Sequence, residues 1–495
     1  MPDRKRAALA WLMAATALAS TSVAHASTKP VAKSTAAQRE AALVARLEKL
    51  EAEIAQLRGQ AANAKAETVA VAQAASAADA HAASATQLAQ SVAKESRETS
   101  TRLAVAEKKP QPEGMRVGST TVKIGGFLKL NADSSHYDGG AVASNTLGRD
   151  FYLPQTLPVA SATSKPTTDT DFSAKQTRLW LNIESQVAGH VVKGYLETDF
   201  QTTASAAQNV AGGGSQRTTN GYTLALRRAF VQFDKWTFGQ DWTTFQYTAA
   251  LPESTDFVGA TEGTVFIRQP LIRYSTPLGK GMTLHLAAEN PESATATAGS
   301  ATLVENGTDH VPDAVVRLAY ASAKGELSVA GIGRQIRAEV SGAGVTTKGY
   351  GISTGAKYFL NANKTSDLRL MATYGQGIGR YVGLNFSPDA VYMPTSNSLA
   401  NVKTFAALAA AHVAISPTVR VNLIGSMQAV SYDSSLSAAS IAAYNKKAWS
   451  GAINLFYSPV KMIDLGIEYR HGERELVSGA KGSLDRFEFA AKYNF

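Results

Sequence analysis

The segment that most constrains this chain is its last twelve residues, Leu484 to Phe495. Phe487, Phe489, Ala491, Tyr493 and Phe495 share one parity, and Arg486, Glu488, Ala490, Lys492 and Asn494 share the other. A strand sends alternate side chains to opposite faces, so this segment has an apolar, mostly aromatic face and a charged one. An edge strand of a water-soluble sheet reads the same way over one segment. The aromatic weighting, and recurrence of the pattern upstream, point instead to strands with lipid on one side and water on the other.

The recurrence is extensive. Leu179, Leu181 and Ile183 alternate with Arg178, Trp180, Asn182 and Glu184, and Ile463, Leu465, Ile467 and Tyr469 alternate with Asp464, Glu468 and Arg470. Strands are predicted at 122–132, 175–187, 190–201, 222–234, 236–244, 265–276, 281–290, 312–322, 325–337, 348–360, 366–378, 402–415, 418–432, 446–458, 461–474 and 483–495. Short turns such as Ala188-Gly189, Asp234-Lys235 and Ser416-Pro417 alternate with long connections such as 133–174, 291–311 and 379–401. That asymmetry of the two rims is the pattern of a bacterial transmembrane barrel. A closed barrel is also the sheet that pairs every backbone polar group inside a bilayer, and about sixteen strands leave an aqueous lumen. The expected fold is an all-β transmembrane barrel of about 16 antiparallel strands preceded by an α-helical coiled coil. Three strands are irregular. The apolar parity of 222–234 slips near Arg227-Arg228, Pro270 suggests a bulge, and Ala406 to Ala411 are small and apolar on both faces.

The chain opens with Arg4, Lys5 and Arg6, an apolar run from Ala7 to Ala19, and Ala24-His25-Ala26. This reads as a signal peptide over 1–26, too short and Ala-rich for a membrane anchor. No cysteine is present, so disulfides are excluded. The formal charge is +9, but about half of the excess precedes residue 117, so it argues weakly for any anionic partner and not for nucleic acid. After a linker at 27–35, Leu43, Leu47, Leu50, Ile54 and Leu57 follow 4-3-4-3 spacing. The frame continues in smaller residues to Ala106, as in a parallel coiled coil. A single solvated helix or a linker is the alternative for its Ala-rich half. A helical arm over 36–106 would be roughly 100 Å long at about 1.5 Å per residue, which brings peptidoglycan within reach from the periplasm. A second linker at 107–116 contains Pro110, Pro112 and Gly114 and leads into the barrel at 117–495.

The connection from Phe245 to Thr264 mixes apolar residues with Glu253, Asp256 and Glu262. It holds the place of the third long loop. The expectation is that it folds inward and sets carboxylates opposite basic wall residues, rather than lying on the surface. Arg178, Arg228, Arg268, Arg273, Arg317, Arg369, Arg420 and Arg470, with Lys129 and Lys193, are assigned to the lumen, most of them by apolar neighbours on either side, because a mid-depth charge facing lipid costs about 2–4 kcal/mol. Each has two readings, a selectivity residue or half of a structural ion pair. An arginine ladder focuses a field and lets carboxylates exchange between bidentate sites.

No nucleotide, metalloprotease or serine-hydrolase motif occurs, so neither a cofactor nor a metal is expected and an enzyme is not the reading. Trp180, Trp236, Trp242 and Trp449 are too few for a sugar slide. Two rivals are a tether whose arm couples the outer membrane to the cell wall, and an outer-membrane lipid hydrolase assembled across strands.

Several stretches resemble the DcaP-like outer-membrane porin family. They include Val122-Lys123-Ile124-Gly125-Gly126-Phe127-Leu128-Lys129-Leu130, Asp171-Phe172-Ser173-Ala174-Lys175-Gln176-Thr177-Arg178, Phe238-Gly239-Gln240-Asp241-Trp242-Thr243 and Glu262-Gly263-Thr264-Val265-Phe266-Ile267-Arg268-Gln269-Pro270. They concentrate before residue 275. The resemblance implies a homotrimeric sixteen-stranded porin with a periplasmic N-terminal coiled coil and a preference for small anions, dicarboxylates among them. Arg178 and Arg268 lie inside the matching segments.

Overall fold

The computed structural model describes residues 114–144, 146–202, 219–305 and 308–495, with helical residues 40–41, 43–55 and 58–59 and four single helical positions before them. The chain divides into two units, Met1–Lys108 and Lys109–Phe495. In the first, Leu43, Leu47, Leu50 and Ile54 lie on helix and are exposed. The expected signal peptide, both linkers up to residue 113, and nearly all of the heptad frame beyond Gly59 fall outside the described residues.

The second unit is a closed barrel of sixteen antiparallel strands. In chain order these are β1 (Thr120–Tyr137), β2 (Arg178–Val187), β3 (His190–Asp199), β4 (Ala225–Phe233), β5 (Trp236–Trp242), β6 (Arg268–Gly279), β7 (Met282–Glu289) and β8 (Asp313–Ala321). They continue as β9 (Gly325–Val340), β10 (Ala343–Phe359), β11 (Asp367–Gln376), β12 (Lys403–Ala414), β13 (Val419–Ser431), β14 (Asn445–Val460), β15 (Ile463–Leu476) and β16 (Lys481–Asn494). Closure is the pairing of β1 with β16, from Phe127↔Asn494 to Tyr137↔Leu484. The upper half of β1 also pairs a separate segment, Thr167–Ser173, which continues the line of β2.

Each of the sixteen expected strands is present, and the corrections are local. The parity slip is a bulge. Pairing steps from Glu197↔Arg228 to Thr198↔Leu226, so Arg227 is the extra residue and turns into the interior at 2% exposure. Pro270 forms no bulge, since register is continuous from Trp242↔Arg268 to Trp236↔Tyr274. The expected connection after 337 is a turn at Ser341-Gly342, because β9 and β10 extend into one long hairpin.

The outward face explains the alternation. Ile272, Leu286, Val316, Leu370, Leu423, Ile453 and Ile467 are exposed around the wall. Toward the short turns the outward residues include Trp236, Tyr320, Tyr358, Tyr457 and Tyr493; toward the long connections they include Tyr350, Tyr374, Phe405, Trp449 and Phe487. An aliphatic band between two aromatic collars is the surface that a bilayer solvates.

Candidate functional site

Inside the barrel, three connections fold inward and pack on one another. They run through 147–158, 243–267 and 378–389. Phe151, Leu153, Val258 and Phe266 form a shared apolar cluster. The Phe266 N–H donates to the Tyr381 carbonyl at 3.1 Å, the Gly383 N–H to Thr264 at 3.0 Å, and the Thr261 hydroxyl to the Tyr152 carbonyl at 2.8 Å.

The middle connection is anchored residue by residue. Where it leaves β5, Glu289 accepts from the Thr243 hydroxyl at 2.6 Å, the Thr244 N–H at 2.7 Å and the Gln269 amide at 2.6 Å. Glu253 accepts from Arg420 through Nη2 at 2.6 Å and Nε at 2.8 Å. The Thr255 carbonyl accepts from Lys129 Nζ at 2.6 Å, and Ser254 donates to Glu468 at 2.7 Å. Asp256 accepts from the backbone N–H groups of Tyr152, Val258 and Gly259 at 2.7, 3.0 and 2.9 Å and lies 3.8 Å from Arg486. Glu262 is wholly buried and accepts from Ser426 at 2.8 Å. Burial holds its carboxyl above the ordinary carboxylate range; hydrogen bonds and the Arg470 charge oppose that shift in part.

Apolar contacts complete the seat. Ala250 and Ala260 pack on Met371, Leu408, Ala410, Ile424 and Ala452. This accounts for the small apolar stretch on β12, whose inward residues face the connection rather than water. Gly263 permits the closest approach, since a Cβ there would stand 2.5 Å from the Ala407 carbonyl oxygen.

The lumen wall therefore has two chemically different sectors. Along β11–β16 and β1 most cations are matched to carboxylates; the exceptions are Lys129, whose ammonium bonds the Gln176 amide oxygen and the Thr255 carbonyl, and Arg474, which bonds the Asn445 amide oxygen and the Leu157 carbonyl. Arg369 pairs with Asp367 at 2.6 Å, Arg420 with Glu253 and Asp464 at 2.6 and 3.1 Å, and Arg470 with Glu468 at 2.7 Å. Lys492 pairs with Asp464 at 3.0 Å, and Arg486 lies 3.8 Å from Asp133. Arg470 and Arg486 are almost fully buried.

Along β2–β8, six arginines converge: Arg178, Arg227, Arg228, Arg268, Arg273 and Arg317. Their carboxylate partners are Glu197, Asp199 and Asp241. Arg227 takes the tight contacts, with Glu197 at 2.7 Å and Asp199. Arg178 is left at 3.7 and 3.5 Å from the same two groups. Arg228 pairs with Asp241 at 2.6 Å, and Arg273 pairs with the same carboxylate. Arg268 and Arg317 form no ion pair among the described residues, and each keeps one buried nitrogen without a hydrogen bond, Nη1 and Nε respectively. Aromatic rings back several of these guanidinium groups. Arg178 lies over Phe127 at 5.2 Å, Arg228 over Tyr195 at 4.7 Å and Arg268 over Trp242 at 5.1 Å. A ring face stabilises the cation without neutralising it. Side-chain exposures of 23% for Arg178 and 24% for Arg228 leave both within reach of solutes.

The sequence-derived residues thus separate into groups. Arg178, Arg228, Arg273 and Arg317 come together on the inward parity of β2–β8. Arg268, in unbroken register with outward Ile272, takes the parity opposite to Arg273, contrary to the expectation, and approaches the cluster from the strand end, over Trp242. Arg369, Arg420, Arg470 and Lys129 lie on the matched sector with Glu253, Asp256 and Glu262. Lys193 joins neither; it pairs with Glu184 at 3.2 Å close to the Ala188-Gly189 turn. Sequence reasoning missed Arg227, although the parity slip marked its position. It also missed Arg334, which is enclosed between Asp313 at 3.2 Å and Asp389 at 3.0 Å and ties β8 and β9 to the third inward connection. Nothing local in the sequence pairs Arg334 with Asp389.

A family model described as DcaP outer membrane protein matches residues 117–495. Among solved structures, the outer membrane channel DcaP of Acinetobacter baumannii is 24% identical, with 78% of this chain and 100% of that chain covered and a TM-score of 0.61. OmpT of Vibrio cholerae is 10% identical over 78% of this chain and 100% of that chain, with a TM-score of 0.46. The anion-selective porin from Comamonas acidovorans is 14% identical over 76% of this chain and 100% of that chain, with a TM-score of 0.46. No curated protein matches the sequence significantly.

Proposed function

The chain belongs to the DcaP outer membrane protein family, and on that premise we propose that it is a passive outer-membrane channel for small hydrophilic anions, carboxylates of the dicarboxylate type among them. The observation that carries this reading is the imbalance of the β2–β8 sector, where Arg268 and Arg317 have no ion-pair partner among the described residues and Arg178 is held loosely. The carboxylates of the inward connection lie on the other sector, where Arg420 and backbone N–H groups engage two of them and burial disfavours charge on Glu262. A carboxylate solute meets forked donors that are already desolvated in part, and can move between them without meeting a closed site. Transport is the activity proposed, with no catalytic step.

The N-terminal segment fits the same reading as a periplasmic arm that assembles a homotrimer. Its Leu43, Leu47, Leu50 and Ile54 stripe is exposed in the single chain and matches a heptad seam. Residues 1–26 then serve as the export signal.

The test is block of KCl current by succinate in a planar bilayer. Wild type is expected to show concentration-dependent block, weakened about tenfold in an Arg178→Ala/Arg268→Ala double variant. Equal block in both would overturn the assignment of the anion site.

A further inference from the structure

The outward face carries a pattern that the lumen chemistry does not use. Lys348-Gly349-Tyr350 opens outward on β10, Lys403-Thr404-Phe405 on β12 and Lys447-Ala448-Trp449 on β14. In each, the lysine and the aromatic share the outward parity; on β9, β11 and β13 that parity stays apolar or Gly below, whereas on flanking β15 it carries Glu473 and His471, level with Trp449 and Gly451. Each lysine stands two residues nearer the long-connection rim than its aromatic. Tyr350, Phe405 and Trp449 belong to the aromatic collar at that rim. Register joins them into one sector: Tyr350 lies across from Gln376, Gln376 from Lys403, Lys403 from Ser431, and Ala429 from Lys447. Alternate strands of a sheet are about 10 Å apart, so the three ammonium groups line one continuous band.

All three lysines are exposed and none forms a contact ion pair among the described residues, although Lys447 lies across the ladder from Glu475 and Lys403 within the field of Asp433. The neighbouring Lys446 does pair, with Glu475 at 2.8 Å, and is not part of the band. Arg337, on the outward parity of β9, lies 3.5 Å from Glu339. Below the band is an outward groove of about 850 Å³, floored by Ala372, Ala407, Ala409, Gly425 and Gly451 beside Trp449. Leaving out side-chain bulk there opens room for hydrocarbon against the wall. On β16 the corresponding position carries the opposite charge, Asp485 two residues before Phe487.

We propose that this sector binds a phosphorylated, acylated glycolipid of the outer leaflet, with Lys348, Lys403 and Lys447 holding its phosphates and the groove holding an acyl chain. Charge complementarity selects the occupant. A polybasic row at headgroup depth attracts anionic lipid phosphate, and an aromatic collar fixes that depth. The inference is independent of what the lumen conducts.

The experiment is native mass spectrometry of the full chain in detergent, titrated with lipid A and with dephosphorylated lipid A. Wild type is expected to bind lipid A at least about tenfold more tightly than the dephosphorylated form. Lys348→Gln/Lys403→Gln/Lys447→Gln is expected to lose that preference while keeping single-channel conductance, which reports an intact barrel. Equal binding of the two lipids by wild type overturns the proposal without any variant. So does undiminished lipid A preference in a conducting triple variant.

Discussion

The two sectors of the lumen wall use the same residue types to different ends. On β11–β16, Arg369, Arg420, Arg470 and Arg486 each have a carboxylate at ion-pair distance and only Arg474 among the described arginines of these strands does not; Arg470 and Glu468 are both almost sealed from water. On β2–β8, Arg227 takes the best contacts of Glu197 and Asp199 and so leaves Arg178 underpartnered. What separates the sectors is the inward connection. It lies mainly against the first sector and brings Glu253 and Asp256 to it; on the second it touches Arg317 through the Gln246 carbonyl and Arg227 through the Phe257 ring, and leaves Arg178 and Arg228 partly exposed. A matched buried pair fixes structure, and a partly matched exposed cation remains available to solutes.

The largest effect that tests this contrast is on stability. Removing one member of a buried pair strands the other, at about 3–5 kcal/mol. Arg470→Met is expected to lose that much in a urea unfolding transition followed by tryptophan fluorescence. Arg178→Ala is expected to lose less, about 1 kcal/mol, because its pairs are long, its side chain is partly solvated and Arg227 remains on the same two carboxylates. Similar losses would erase the distinction between the walls.

The next effect comes from the seat of the inward connection. Gly263→Leu places side-chain atoms where the Ala407 carbonyl now stands. Overpacking of this kind costs about 1–3 kcal/mol, and the expected outcome is a displaced connection and a raised single-channel conductance. Unchanged conductance would mean that the connection does not set the aperture.

A smaller effect follows pH. Burial raises the Glu262 carboxyl above its ordinary value. A carboxyl with a raised folded value contributes stability that is fully present below the ordinary carboxylate pKa of about 4.3 and is lost as pH rises through the raised value. Seating should therefore weaken as pH increases. Glu262→Gln is expected to flatten that dependence, read as the pH profile of the thermal transition. A profile unchanged by the substitution would remove Glu262 from the account.

The smallest effect belongs to Lys193. Its exposed pair with Glu184 lies near the short-turn rim. Lys193→Ala is expected to shift stability by less than about 0.5 kcal/mol and leave succinate block unchanged. A strong loss of block would extend the cationic sector to that rim.

Much of the barrel was legible because lipid and water impose a period of two, and a one-residue slip would turn every side chain to the wrong face. The slip at Arg227 was visible for the same reason. The pairing of the two sectors was not legible. Glu253 and Arg420 are 167 residues apart, and Glu468 reaches Ser254 across 214. Alternation says which face a charge is on and nothing about which partner it meets. The inward faces of Ala406, Leu408 and Ala410 were ambiguous for a related reason. A lumen is expected to be polar, and only the connection folded onto them makes an apolar wall sensible.

The measurement that tests the central claim most directly is the reversal potential of the purified full chain in a KCl gradient across a planar bilayer. An underpartnered arginine sector predicts anion selectivity, reduced toward the bulk mobility ratio when the salt is raised tenfold and the field is screened. Cation selectivity would contradict the account, because the carboxylates of the inward connection would then face the solute and the arginines would not.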